Sequence, residues 1–301
     1  MSDSLVDATH EKLEQFLSEP EICAVARQAL EKGLSLEELP AAIDDIVKSA
    51  AGFERWSGQG ESESLFGRWI LAHAALRSLG RIAELPVVPE VRQLILRSYQ
   101  TIAERAPARD ALFRPRSREF REMAEIAVLR RFVAGQLHWK ISGIPRSWPL
   151  QMKWREALKT VSAVCLMGGR APCFEAHIPS RGSPLLIESE YMRCYVRMAR
   201  SMELQPGIRG IFGSSWLHSE ETMRVSPHLN WINQLFLDNG GLLVHMGPAS
   251  PDSGFLIGSQ KRRQLYDSGA YRPRNAMFIW PRTAVLNWVH RLPAAHSNPS
   301  H

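Results

Sequence analysis

An acid and an imidazole stand two residues apart in the segment "CFEAHI", which has the composition of a short strand. Successive side chains of a strand alternate between its two faces, so Glu175 and His177 are predicted to share a face. A carboxylate beside an imidazole can tune it toward a general base that works near neutral pH. A satisfied buried pair would give the same pattern, and both interpretations stay open.

Three further polar residues belong to predicted strands or their ends. Ser215 and His218, in "GSSWLHSEE", follow a predicted strand, where α/β folds place ligand sites, and we expect both to be exposed there. His245, in "LLVHMG", is a polar residue within an apolar strand and needs a hydrogen-bond partner if it is buried. The segment lacks the G-x-S-x-G pattern of nucleophilic hydrolases. The candidate catalytic residues are Glu175, His177, Ser215, His218 and His245.

A metal site is not predicted. Glu175, His177, His218 and His245 offer the ligand types of a site with two histidines and one carboxylate, but their spacing forms no metal-binding motif. The four cysteines show no C-x-x-C spacing, which favours buried thiols over a zinc site or a disulfide framework.

Three consecutive cations open a predicted helix in "GFLIGSQKRRQLYDSG". A helix start already carries a partial positive charge and free N–H groups, so a bound phosphate or carboxylate would relieve the repulsion there. In the alternative, the cations point outward toward the acidic N-terminal segment and Ser259 is only a helix cap. The predicted cofactor-binding residues are Gly258, Ser259, Lys261, Arg262, Arg263 and Tyr266, the tyrosine as a proton donor to a leaving thiolate.

The end of the chain resembles a known family in its topology. The predicted order of strand 242–247, helix 259–268, strand 276–280 and helix 282–292 is similar to the cofactor-binding half of the GNAT acyltransferases. In that family a helix start holds the pyrophosphate of acetyl-CoA, so the resemblance implies an acyl-CoA site at the helix that begins near Ser259. The Q/R-x-x-G-x-G/A motif of the family does not occur here.

The elements that must position these residues divide the chain in two. Apolar residues recur at helical spacing over 62–84 and 89–106, Ser117 is a predicted cap, and Ser35 with Glu38 forms a capping box. From about residue 170, strand and helix patterns alternate. We expect an α/β domain with a mixed, partly parallel sheet at 169–292, an all-helical region at 1–168 with an acidic head at 1–64, and a disordered tail at 293–301.

Individual elements of the α/β part are also predicted. "PLLIE" has a strand pattern, and the helix after it places Tyr191, Tyr195 and Met198 on one side. "SPHLNWINQLFLDNGG" is predicted to be one helix, capped by Ser226 and with Pro227 at its first position. The segment holding Trp139, Trp148 and Trp154 is predicted to line a pocket or a seam between the two regions.

The charge is distributed unevenly. Residues 1–64 hold 5 Lys/Arg and 14 Asp/Glu, whereas the whole chain holds 37 and 31, so a basic body follows an acidic head. No apolar run approaches a membrane span, and the start lacks a signal-peptide pattern, so a cytoplasmic protein without a membrane partner is expected. The arginine-rich window 114–121 favours a solvated helix face over nucleic-acid contact.

These patterns together favour a small-molecule transferase that takes an acyl group from a phosphate-bearing cofactor such as acyl-CoA. Glu175, His177 or His245 would act as the base. A non-catalytic protein that binds an acidic partner or nucleic acid is the alternative, and a metal-dependent enzyme is the third possibility. The patterns predict neither the acceptor nor the oligomeric state.

Overall fold

The computed structural model describes residues 3–37, 39, 41, 43, 56, 61–107, 117–179, 186–254, 256 and 259–293. The chain divides into two compact units, one formed by Met1–His138 with Ile178–Leu185 and the other by Trp139–His177 with Leu186–His301. Glu38 of the predicted capping box, Arg114 and Arg116, Gly258 and the segment 294–301 lie outside the described residues.

The first unit is helical, and its central helix has buried apolar side chains on several sides. Its described helices are α1 (Asp3–Leu17), α2 (Pro20–Glu31), α3 (Glu61–Leu79), α4 (Pro89–Arg105) and α5 (Arg118–Ala127), with a short strand β1 (Arg131–Val133). Helix α3 contacts α1, α2, α4 and α5. Phe66, Trp69 and Leu71, which point in different directions around α3, are all buried. The helices predicted over 62–84 and 89–106 are confirmed.

Hydrogen bonds hold both ends of α5, and those at its C-terminal end form a buried network that joins three helices. Ser117 caps the N-terminal end as predicted, because its Oγ accepts the N–H of Phe120 at 3.0 Å. At the other end of α5, the Tyr99 hydroxyl of α4 lies 2.8 Å from Ser78 Oγ of α3 and 3.0 Å from the Ala127 carbonyl oxygen. Burial raises the pKa of Tyr99, so its hydroxyl stays protonated. The network satisfies a carbonyl that the helix end leaves without an intrahelical partner.

The second unit contains a mixed sheet. Its strands are β2 (His138–Ser142), β3 (Cys173–His177), β4 (Gly210–Ser215), β5 (Leu242–Pro248) and β6 (Arg274–Pro281), in the order β2–β3–β4–β6–β5. β3 and β4 are parallel, whereas β4 with β6 and β5 with β6 are antiparallel. The predicted fold class, an α/β domain with a mixed and partly parallel sheet after a helical region, is confirmed.

Helices cover both faces of this sheet, as its apolar strands require. They are α6 (Trp154–Leu166), α7 (Glu188–Glu203), α8 (Glu220–Val225), α9 (Asn230–Leu237), α10 (Gln260–Asp267) and α11 (Arg282–Arg291). On one face Ala163 of α6 packs with Cys173, Phe212 and Val244 in an apolar cluster. On the other face the rings of Phe236 and Phe278 stack with their centroids 4.0 Å apart. None of the described helices combines the length and apolar composition needed to cross a bilayer.

Two local predictions are corrected. Leu186 and Ile187 of "PLLIE" are not in a strand, and α7 begins at Glu188. Pro227–Leu229 forms a separate 3-10 turn before α9, and the Ser226 side chain makes no capping hydrogen bond. The segment between β5 and β6 joins antiparallel neighbours, so α10 is part of a connection at one end of the sheet.

Candidate active site

Four polar side chains from β2 and β3 form one cluster, which we call the Glu175 cluster: Lys140, Ser142, Glu175 and His177. Glu175 Oε1 lies 3.4 Å from Nε2 of His177, which confirms that the two residues share a face. Glu175 Oε2 accepts a hydrogen bond from Ser142 Oγ at 2.7 Å and lies 3.7 Å from Lys140 Nζ. The side chains of Glu175 and His177 are 22% and 24% exposed, so the cluster is sheltered but reachable.

The cluster keeps Glu175 ionised. Burial alone would raise the pKa of its carboxyl, but the neighbouring imidazole of His177, the Ser142 hydroxyl and the charge of Lys140 together lower it to about 2. The nearest thiol on the same strand behaves differently, because burial raises the pKa of Cys173 to about 11. Cys173 therefore packs as an apolar side chain, and the charged chemistry of β3 is confined to its carboxyl end.

The carboxyl ends of three strands meet at one edge of the sheet, which we call the carboxyl edge. β3 is parallel to β4, and both β4 and β5 are antiparallel to β6, so His177, Ser215 and Pro248 end their strands on the same side. The register that pairs Glu175 with Phe212 places position 177 level with Ser214 when it is continued by two residues. Ligand sites of α/β sheets lie at this edge.

Ser215 and His218 are held by local structure. Ser215 Oγ accepts the N–H of Leu217 at 3.2 Å and so caps the short 3-10 turn Trp216–His218. This turn brings the His218 ring back against Phe236 and Phe278, with 3% of the residue exposed. The expectation that His218 is exposed is therefore wrong. Burial lowers its pKa to about 4, although Nδ1 lies 2.9 Å from Asn233 Oδ1.

His245 lies apart from the Glu175 cluster. Its strand is separated from β3 by β4 and β6, a distance of about 14 Å at about 4.8 Å per strand. Its backbone N–H donates to Glu156 Oε2 at 2.9 Å, and its Nε2 lies 3.3 Å from Glu220 Oε1. The polar partner that the sequence required is thus present, but it does not bring His245 to Glu175.

The basic helix start adjoins the carboxyl edge. Ser259 caps α10 by accepting the N–H of Arg262 at 3.2 Å, and the helix predicted over 259–268 is observed at Gln260–Asp267. The guanidinium of Arg262 lies 5.1 Å from the ring centroid of Trp216, the residue that directly follows β4. Since β4 ends at the same edge as β3, the basic helix start and the end of β3 at His177 lie along the same edge of the sheet.

The cations of α10 have partners that partly explain their position. Lys261 Nζ donates to the carbonyl oxygen of Val225 at 3.2 Å, at the partially negative end of α8. Burial lowers the pKa of Arg262, which rests on an indole face. Arg263 is exposed. Tyr266 lies under Arg272, whose guanidinium is 4.3 Å from its ring centroid.

Two members of the Glu175 cluster were not predicted as site residues. Lys140 and Ser142 come from β2, within a region expected to be helical. The alternation of polar residues 138, 140 and 142 with Trp139 and Ile141 was the signal for a strand. Within the described residues, no three His, Cys, Asp or Glu side chains gather closely enough to hold a metal ion.

No family model and no curated protein matches the sequence. Among solved structures, an acyltransferase in complex with decanoyl-CoA and teicoplanin is 14% identical, with 90% of this chain and 87% of that chain covered and a TM-score of 0.49. An acyltransferase with CoA and 10C-teicoplanin is 14% identical, with 80% and 76% covered and a TM-score of 0.48. An acyltransferase with decanoyl-CoA is 12% identical, with 92% and 99% covered and a TM-score of 0.42. Likenesses at this level assign neither a ligand nor a reaction to this chain.

Proposed function

We propose that the protein is an acyltransferase that moves an acyl group from acyl-CoA to a small-molecule acceptor at the carboxyl edge. The observation that supports this most is the ionised Glu175 against His177, at the edge of the sheet where β4 leads into Trp216, the residue under Arg262. Acyl transfer needs a base for the acceptor and cations for the phosphates of the donor, and His177 and Arg262 are the candidates for these two roles.

His177 is the general base of this proposal. Nε2 of His177 is buried and faces Glu175, so the exposed 24% of the side chain belongs to its other atoms. Nδ1 is therefore the nitrogen that takes the acceptor proton in this proposal. Glu175 remains ionised and fixes the orientation of the ring. Acyl-CoA supplies the thioester, whose C–S bond breaks as the acceptor oxygen or nitrogen bonds to the acyl carbon. The C–S electron pair leaves with sulfur as the CoA thiolate, and the proton that His177 has taken from the acceptor passes to this thiolate or to solvent.

The start of α10 holds the phosphates in this proposal. Ser259 Oγ occupies the N–H of Arg262, while N–H groups of the same first turn have no intrahelical carbonyl to bind. Arg263 is exposed and Arg262 is partly removed from water, so a phosphate would gain two cations beside backbone donors. These residues fit a diphosphate by charge and donor type.

The experiment compares His177→Gln with the wild type in the release of free thiol from acetyl-CoA, with a panel of small primary amines and alcohols as acceptors. General-base loss lowers the rate about 10²–10⁴-fold. His290→Gln is the matched control, because His290 is 56% exposed and pairs with Glu203 on α7, remote in sequence from the cluster. Equal rates for wild type and His177→Gln, or no thiol release by the wild type, would overturn the proposal.

A further inference from the structure

Exposed apolar side chains are concentrated on one short segment of the second unit. Ten large apolar side chains of the described residues are exposed, and five of them fall between residues 150 and 166. We call them the α6 patch: Leu150 (87% exposed), Trp154 (68%), Leu158 (57%), Val161 (50%) and Leu166 (81%). Scattered single residues of this kind are ordinary, but a contiguous group marks an interaction surface.

The patch faces away from the protein core. Trp154, Leu158 and Val161 follow the i, i+4, i+7 spacing of one helical stripe. The opposite side of α6 carries Thr160 and Ala163, both buried, and Ala163 belongs to the apolar cluster on the sheet. Helices that pack on a sheet normally present polar side chains outward, so an apolar outer stripe on α6 requires its own explanation.

The surroundings of the patch are positive. Lys153, Arg155 and Lys159 are exposed, and the guanidinium of Arg155 lies 5.3 Å from the Trp154 ring centroid. Glu156, the only acid of α6, is 14% exposed and accepts from Lys159 Nζ at 2.9 Å and from the His245 N–H. Burial would raise the pKa of Glu156, but these bonds lower it. Both carboxylate oxygens of Glu156 therefore already have partners within the protein.

We propose that the α6 patch binds the surface of a membrane that contains anionic lipids, with α6 lying in the interface. Tryptophan and leucine on one face with lysine and arginine beside them is the pattern of such interfacial helices, and the cations complement the charge of anionic headgroups. The prediction of no membrane partner rested on the lack of a spanning segment and of a signal-peptide pattern, and an interfacial contact needs neither.

A second copy of the chain fits the patch less well. Stable interfaces bury about 800 Å² on each partner through 20–30 residues, several times the number of residues in the patch. The exposed side of α6 also offers no free acid to pair with the cations of a second copy. The proposal does not depend on the acyltransferase proposal, because the patch and the Glu175 cluster share no residue.

The experiment is cosedimentation of the full chain with vesicles of phosphatidylcholine, with and without about one third phosphatidylserine. The wild type is expected to bind the anionic vesicles, more weakly at high salt. The double variant Trp154→Gln/Leu158→Gln is expected to lose about tenfold in partitioning. The matched control is the double variant Leu204→Gln/Leu237→Gln, which changes two comparably exposed leucines elsewhere in the same unit. This control should bind the vesicles as the wild type does.

Two outcomes would overturn the proposal. One is equal sedimentation of the wild type and the Trp154/Leu158 variant. The other is a concentration-dependent doubling of the mass in ultracentrifugation that the same variant abolishes, without vesicle binding by the wild type, which would assign the patch to a second copy.

Discussion

Glu175 Oε1 lies 3.4 Å from Nε2 of His177, and the two residues stand two positions apart on β3. The strand alone brings them to one face, while β2 adds the hydroxyl and the ammonium group that keep the carboxylate charged. The charge of Glu175 can therefore be tested by its effect on stability, separately from the proposed proton transfer to His177.

The charge of Glu175 predicts a pH dependence of stability. Its folded pKa of about 2 lies below the ordinary 4.5, so its contribution is present above pH 4.5 and is lost as the pH falls toward 2. The full contribution is at most about 3 kcal/mol. Glu175→Gln should therefore lose much of the fall in melting temperature between pH 5 and pH 3 that the wild type shows. Parallel curves for the two proteins would contradict the ionised cluster.

His218 predicts a second, higher pH window. Burial lowers its pKa to about 4 from the ordinary 6.5, so the folded state favours the neutral ring and loses stability as the pH falls from 6.5 toward 4. His218→Gln should show a flatter stability profile in that range, measured by urea unfolding at each pH. His290→Gln serves as the control, because an imidazole that is 56% exposed is not subject to this burial. If the stability of His218→Gln falls with pH as steeply as that of the wild type, the buried ring of His218 does not cause this pH dependence.

Sequence patterns predicted those features that depend only on residues close together in the chain. Period-two alternation placed Glu175 with His177, and Ser117 was predicted as a cap. The alternative to a phosphate site gave Ser259 the same role, and each cap acts on backbone within three residues. The strand β2 was missed because the segment around it, rich in tryptophan, glycine and proline, was assigned to a pocket or a seam.

The burial of His218 and the partners of the α10 cations depend on tertiary contacts. The exposure of His218 depends on a 3-10 turn that folds the ring onto Phe236, which no strand pattern contains. The cations of α10 suggested an anion from the sequence alone, yet Lys261 donates to the end of α8 and Arg262 lies on Trp216. These partners lie 36 and 46 residues away in the chain, so only the fold reveals them.

The buried network of the first unit gives a prediction independent of the site. Tyr99→Phe removes the hydroxyl that lies 2.8 Å from Ser78 Oγ and donates to the Ala127 carbonyl. Losing a buried hydrogen-bond partner costs about 1–3 kcal/mol. Urea unfolding should report this loss of stability, and an unchanged midpoint would show that the hydroxyl contributes nothing.

The proposed binding of the CoA phosphates at the start of α10 is tested most directly by calorimetric titration of CoA. The wild type should bind CoA, and at 100 times the Kd the bound ligand should add about 2.7 kcal/mol to stability. Arg262→Ala/Arg263→Ala should lose this binding, whereas Arg193→Ala, an exposed arginine on α7, should retain it. CoA binding that is equal in all three proteins, or absent from the wild type, would contradict the account.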